Sequence, residues 1–580
     1  MLFTANHPGV APPTDDIPTM VFEYARNTKA FGTDPSRPVI IDSVSLESIS
    51  FSELQAWSLE LASGITTKLG FRRNDRALLF SENDAMLLAG GAIAPSDPDL
   101  SVDDLVYRIE DGLPKIIITT HSRYSLVLKA LKKSSHDIPI ENVIIMRPHA
   151  DLPGVHDVRN LRSNAPFEPV RLRTAEECSS AMAVLAYSSG STSDPKGIMV
   201  HHAGILTCML QEKIMDEYYA SKIPGVLVEG PGHVLTCLIQ YPLYGLTVTC
   251  LNYLPRGLTV VLGKPPTDLP LLYSLVERLS IHLIRSSPGF LHIIKDNWDL
   301  TTKYNLQHLV GYISAGSIID PAIKAEFEST LGIPILNDYG CSEALSVSFP
   351  EPFHTEYPRA VGKLRPGLVA KITDPDGKEL GPGEIGELRL KTPGRFLGYL
   401  NKPEATKKTI DSDGFLHVGD MGKISHDGFL VIYDRKVDTI ISDGKYIFPT
   451  PWEQILLNHP YVADCAVIAA IDRNTDKDSK GGNQRCVPKA YIVLDESVYG
   501  DASVRRHNSE QDKKRLESEA LDDITDWFNK QLMINKDDLN EGQDCLLEGG
   551  AEATAEIPRG PGRKMQRFKL RALDASKGKS

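Results

Sequence analysis

From Pro38 to about residue 370, short apolar runs alternate with amphipathic stretches of helical period. No other feature constrains the fold as much: apolar runs bury as strands, amphipathic stretches cover them as helices, and repeated alternation makes stacked α/β layers. VIIDSVSLESISF predicts a hairpin, and SELQAWSLELASGITTKLG the helix that follows it. IKAEFESTLG predicts another helix, with Asp320 as its N-cap, Pro321 in its first turn and Gly332 at its end. A chain of 580 residues is too long for one core, so several units are expected. From Gly381 the texture changes. Gly, Pro and charged turns punctuate short strands such as GELRLK and GFLVIYD, and a smaller α+β unit is expected to begin near Asp434. Within it two polar stretches, roughly 474–483 and 497–514, read as surface loops. No internal repeat is visible.

Composition narrows the function classes. A hydrophobic fraction of 41% and a charged fraction of 24% are ordinary for a globular enzyme. A formal net charge of −13 argues against a duplex nucleic-acid binder, which needs a positive field. The 8 cysteines are scattered, without a C-x-x-C pair or a zinc-spaced His/Cys cluster, and read as reduced thiols. MLFTANHPGVAPPTDD carries no basic region ahead of an apolar core, and no apolar run reaches the roughly 20 residues that span a bilayer. The last residues do not complete an S-K-L tripeptide. The expected compartment is the cytosol.

The strongest local signal is AYSSGSTSDPKGIMVHH, residues 186–202. An apolar strand runs into Ser188, Ser189, Gly190, Ser191, Thr192 and Ser193, followed by Asp194, Pro195, Lys196 and Gly197. Small residues let backbone N–H groups approach a polyphosphate, hydroxyls add donors, and Lys196 adds a point charge. The plainer reading is a polar surface loop. A Walker loop is excluded, because no G-x-x-x-x-G-K-[ST] occurs. SSGSTSDPKG resembles the phosphate loop of the adenylate-forming superfamily, which includes acyl- and aryl-CoA ligases, luciferases and peptide-synthetase adenylation domains.

Other segments resemble the same family in the same order. NDYGCSEA, residues 337–344, is similar to its aromatic-Gly-x-Thr-Glu motif. The resemblance implies that Asn337 reads the adenine amino group, Tyr339 stacks near adenine, Ser342 meets the α-phosphate and Glu343 holds Mg²⁺. Asp338 is placed with this nucleotide-binding stretch too. It stands where many relatives have Gly or Ala, so its carboxylate either narrows the acid pocket and favours a polar substrate, or turns away to cap a backbone turn. HVGD resembles the segment whose Asp, here Asp420, accepts both ribose hydroxyls, as a carboxylate can. YDRK resembles the hinge, with Arg435 also at the ribose. IPRGPGRKMQRFKLR resembles the C-terminal catalytic segment, and the family's catalytic lysine falls on Lys564, able to neutralise charge during attack on the α-phosphorus. A basic tail that binds polyanions is the other reading of residues 558–579.

The resemblance implies a large N-terminal domain, 1–433, of stacked α/β sheets with a distorted β-barrel, and a small mobile α+β C-terminal domain, 434–580. The acid pocket is implied near Tyr241, Ala315 and Gly316. ATP, Mg²⁺ and coenzyme A are the implied cofactor and co-substrates, and the substrate is a small aryl or medium-chain carboxylic acid. A carrier protein is a possible partner, and the chain is a monomer or homodimer. Departures cluster around the domain switch and the thioester step. Ser193 replaces a usual glycine, Tyr241-Pro242 an aromatic-His pair, Val437 the polar hinge residue, Ile441 and Asp443 nearby lysines, and Arg563 the glycine before the catalytic lysine. Around DAMLLA, residues 84–89, about two helical turns are missing relative to the family. Two further readings stay open: an adenylating enzyme whose acceptor is an amine, alcohol or carrier thiol, and a non-catalytic paralogue that binds nucleotide or acid.

Overall fold

The computed structural model describes residues 1–5, 7, 9–24, 34–80, 91–146, 154–187, 195–237, 243–263, 268–442, 445–472, 485–495, 510–534, 546–559 and 565–577. The local expectations at the start of the α/β region are met. Strands Pro38–Asp42 and Ser48–Ser50 pair antiparallel and lead into helix Phe51–Leu69. Ser50 and Glu53 form a reciprocal capping box at its start, and Gly70 closes it at φ 60. Helix Pro321–Leu331 has Asp320 as N-cap and Gly332 at φ 68. The DAMLLA segment lies outside the described residues.

Among the described residues these units assemble into three large sheets. One runs, in spatial order, through strands 398–399, 197–201, 182–187, 92–96, 76–80, 116–120, 143–146 and 156–157, largely parallel. A second runs through 335–338, 311–315, 281–286, 233–236, 259–262, 38–42 and 48–50, parallel except for its terminal hairpin. The third is antiparallel, through 3–4, 369–373, 386–391, 416–424, 430–435, 360–364 and 348–349, and supplies the layer expected as a distorted barrel. Helix His202–Lys222 lies between layers. Ile205, Leu206 and Met209 join the main core, while Met215 and Tyr219 pack on Ile313 and Leu336 of the second sheet.

Beyond residue 440 the chain has a separate core. Trp452, Ile524, Phe528 and Leu532 pack against strands Val462–Ile471 and Cys486–Leu494. One expectation needs correcting here: the polar stretch read as a loop to Lys514 gives way to helix Glu510–Ile534. EQDKKRLESEAL is polar, yet nearly all of it is strong helix former. Polarity alone mistook the start of a helix for a loop.

The arrangement brings several strand ends together. In open α/β sheets the carboxyl ends of parallel strands face the ligand. Ser286, Ala315 and Asp338 end three neighbouring parallel strands, and the chain continues from Asp338 into Tyr339. The antiparallel sheet brings Asp420 and Arg435 opposite each other on adjacent strands.

Candidate functional site

The phosphate-loop segment joins two antiparallel strands, Met182–Tyr187 and Gly197–His201, paired from Gly197 with Tyr187. Ser188, Ser189, Gly190, Ser191 and Thr192 lie outside the described residues. The far shoulder of the loop is described. The Tyr107 hydroxyl donates to the Pro195 carbonyl at 2.6 Å, and Lys196 Nζ sits 5.1 Å from the centre of the Tyr399 ring, in cation–π range.

Tyr339 is fixed through its backbone. Its N–H donates to Ser348 Oγ at 2.7 Å, and its carbonyl accepts from the N–H groups of Val347 and Ser348. The next residue must be glycine: a Cβ on Gly340 would lie 2.3 Å from the Leu345 carbonyl oxygen. This tight hairpin aims the tyrosine hydroxyl at Asp420, to which it donates. Arg435 completes the group, with Nε 3.2 Å from Asp420 Oδ1 and a bond from Nη1 to the Val418 carbonyl at 3.1 Å. Burial pushes the Asp420 carboxyl above its usual range, while Arg435 opposes that shift. Residues far apart in sequence thus meet in one cluster.

Glu343 lies beside it. The Tyr399 hydroxyl donates to Glu343 Oε1 at 2.7 Å, and the Phe396 N–H donates to the Glu343 carbonyl at 2.9 Å. The charge of Glu343 acts on both Asp420 and Arg435. Ser342, one residue earlier, is half-buried. The Asn337 amide, oriented to satisfy both its groups, donates to the Ser317 carbonyl at 3.2 Å and accepts from the Ile319 N–H at 3.1 Å. It therefore pins the turn that follows Ala315 and Gly316. Ala315 is buried, and Gly316 is exposed at φ 100, where a side chain would be strained.

Asp338 points the other way, as alternation along a strand requires. Its carboxylate enters a buried ring. Arg365 Nη2 donates to both Asp338 oxygens at 3.0 Å, and Arg365 Nη1 lies 2.5 Å from Glu212 Oε1. Arg285 Nη2 donates to Glu212 Oε2 at 2.8 Å, Arg285 Nη1 to the Tyr244 hydroxyl at 2.9 Å, and that hydroxyl to Asp338 Oδ2 at 2.8 Å. Arg285 Nε also donates to the Tyr253 hydroxyl at 2.8 Å. Against the burial that would raise it, Arg365 and Arg285 hold the Glu212 carboxyl below its usual range. Both Asp338 oxygens are engaged here, so a ligand beside residue 338 would meet its backbone rather than a free carboxylate.

Tyr241 and Lys564 lie outside the described residues. The chain after Lys564 is anchored by Arg567, which donates to Glu453 Oε2 at 2.6 Å and lies 3.4 Å from Asp438 and 3.9 Å from Asp434. Among the described residues, no group of three or more His, Cys, Asp and Glu is placed to hold a metal ion. Nor is any helix there long and apolar enough to cross a membrane. Sequence reasoning missed Tyr399 and the partners of Asp338. Tyr399 stood inside GRFLGYLNKPEAT, where the glycine before it was its only signal: Gly398 adopts φ 141.

The model for the AMP-binding enzyme family matches residues 28–400. Among curated proteins the chain is similar to a 4-coumarate–CoA ligase-like protein of Arabidopsis thaliana, at 29% identity over 490 residues, covering 80% of this chain and 81% of that protein. Among solved structures it is similar to ATP-bound MatB from Rhodopseudomonas palustris, with a TM-score of 0.74 and 22% identity, covering 95% of this chain and 98% of that one. It is also similar to the amide bond synthetase McbA from Marinactinospora thermotolerans, with a TM-score of 0.70 and 20% identity over 95% of this chain and 99% of that one.

Proposed function

Because the chain belongs to the AMP-binding enzyme family, we propose that it activates a carboxylic acid with ATP as the acyl-adenylate and then passes the acyl group to coenzyme A. In the first step a carboxylate oxygen attacks the α-phosphorus and the bond to pyrophosphate breaks. In the second the thiol attacks the acyl carbonyl and AMP leaves. The observation that carries the reading is the meeting of Tyr339, Asp420 and Arg435 beside Glu343. A buried carboxylate with an arginine and a tyrosine hydroxyl is suited to a ribose diol.

In this reading Ser188, Ser189, Gly190, Ser191, Thr192 and Lys196 cradle the phosphates. Asn337 and Tyr339 face the adenine, and Ser342 meets the α-phosphate. Tyr241, Ala315 and Gly316 border an aryl or medium-chain acid. Lys564 neutralises charge as the α-phosphorus is attacked, and the 434–580 unit swings over 1–433 to bring it there and withdraw it. The donor set fits Mg²⁺: Tyr399 occupies Glu343 Oε1, and among the described residues no hydrogen bond engages Oε2, which can join phosphate oxygens, the usual company of this ion. When bound, the ion supplies positive charge to the polyphosphate.

One observation favours a different acceptor. Val437 and Ile441 are 53% and 57% exposed, where the family resemblance implies a polar hinge residue and a lysine. An amine, alcohol or carrier-protein thiol would not need cations there. The two readings separate in one assay: purified protein, Mg-ATP and a panel of aryl and medium-chain acids, with and without coenzyme A. Acid-dependent pyrophosphate release with thioester formation supports the ligase. Release without thioester moves the reading to another acceptor, and no release with any acid overturns both.

A further inference from the structure

Glu343 and Lys196 come from segments almost 150 residues apart, and one side chain touches both. Tyr399 donates its hydroxyl to Glu343 Oε1 at 2.7 Å while the face of its ring lies 5.1 Å from Lys196 Nζ. Tyr399 is itself firmly held. Its strand pairs antiparallel with the strand that follows Lys196, Tyr399 opposite Ile198, and the Leu400 N–H donates to the Gly197 carbonyl at 2.7 Å. The Tyr399 N–H donates to Thr406 Oγ1 at 2.9 Å. Its ring meets Phe396 edge-on with centroids 5.0 Å apart, and the Phe396 N–H holds the Glu343 carbonyl. The residue as a whole is 8% exposed.

We propose that Tyr399 is a positioning residue that sets the Glu343 carboxylate and the Lys196 ammonium together, on opposite sides of one nucleotide polyphosphate. Its single hydroxyl proton fixes Oε1 and leaves Oε2 for a divalent cation. Its ring face seats the lysine through a cation–π contact that leaves the hydroxyl to Glu343. Groups that orient a metal-binding carboxylate typically change metal affinity 10–100-fold when removed. The inference rests on the nucleotide reading of the site and goes beyond it.

The test uses the full-length protein, with Mn²⁺ as a spectroscopic substitute for Mg²⁺. Electron paramagnetic resonance reads Mn²⁺ binding to the protein–ATP complex, and calorimetry reads ATP binding without metal. Tyr399→Phe keeps the ring and loses the hydroxyl. It is expected to weaken Mn²⁺ binding by about tenfold or more, with metal-free ATP binding unchanged. Tyr399→Leu also removes the ring and is expected to weaken metal-free ATP binding as well. Adding Tyr399→Phe to Glu343→Gln is expected to cost no more Mn²⁺ affinity than Glu343→Gln alone. Unaltered Mn²⁺ affinity in Tyr399→Phe, or an equal loss of metal-free ATP binding, overturns the proposal. Unaltered Mn²⁺ affinity in Glu343→Gln instead overturns the placing of the cation at Glu343, a failure of the underlying reading that is visible as such. Near-wild-type melting of the Phe variant shows that the fold is intact.

Discussion

Replacing Arg365 with Met should unbalance the interior ring that takes up Asp338. Wild-type protein holds Arg285 and Arg365 against Glu212 and Asp338, neutral in sum, with every one of the four nearly devoid of solvent contact. Removing Arg365 leaves two carboxylates facing one guanidinium. Breaking a buried pair in this way costs about 3–5 kcal/mol, and the lost bond from Arg365 Nε to the Ser348 carbonyl, 2.7 Å in the structure, adds about 1 kcal/mol. At roughly 2–4 °C per kcal/mol, the main calorimetric transition should fall by about 8–24 °C. Burial already raises the Asp338 carboxyl, and without Arg365 it should rise further. A group whose folded pKa lies above its unfolded value takes up a proton on folding, so the variant should recover stability as pH falls, and its deficit should be smaller at acidic than at alkaline pH. Adding Glu212→Gln restores neutrality and should recover about 1–2 kcal/mol. A drop of less than about 2 °C, or a deficit independent of pH, would refute the reasoning.

Other consequences follow from the same geometry. Asp420→Ala removes the acceptor shared by Tyr339 and Arg435 and should weaken ATP binding by about 10–100-fold in calorimetry, as loss of charge-assisted hydrogen bonds does; unchanged affinity would remove Asp420 from the nucleotide site. Lys564→Ala should cut acid-dependent pyrophosphate release by about 10²–10³-fold while ATP binding persists, and undiminished release would sink that assignment. His202 accepts a bond from the Ile17 N–H at 3.3 Å through Nδ1, and burial, opposed by Asp16, holds its pKa down at about 4. The unfolded chain therefore binds the extra proton first, and stability should be lost as pH falls from about 6.5 toward 4, by up to about 3 kcal/mol. His202→Gln should flatten that part of a pH–melting curve, and an unchanged slope would contradict the buried neutral imidazole.

Local rules carried far where the signal was local. Ser50 with Glu53 and Asp320 with Gly332 mark helix ends because capping is settled within a few residues. Asp420 and Arg435 could be singled out because each lies in a short motif, HVGD and YDRK. What the sequence concealed was pairing at a distance. Glu212, Arg285 and Arg365 each look like ordinary surface charges in a chain with 76 acidic and 63 basic residues, and only the packing of a helix between two sheets brings them together. Asp338 shows the consequence: read alone, it was a pocket carboxylate or a turn cap, and in the fold it is an interior ion-pair partner. Tyr399 was hidden for the same reason, since its two contacts lie on segments distant from it and from each other.

The most direct test of acid activation is exchange of labelled pyrophosphate into ATP, run without coenzyme A so that the first step stands alone. Exchange that requires an aryl or medium-chain acid, and that Lys564→Ala abolishes while still binding ATP, is the predicted result. Absence of exchange with every acid, in protein that binds Mg-ATP, would contradict the adenylation chemistry assigned to this site.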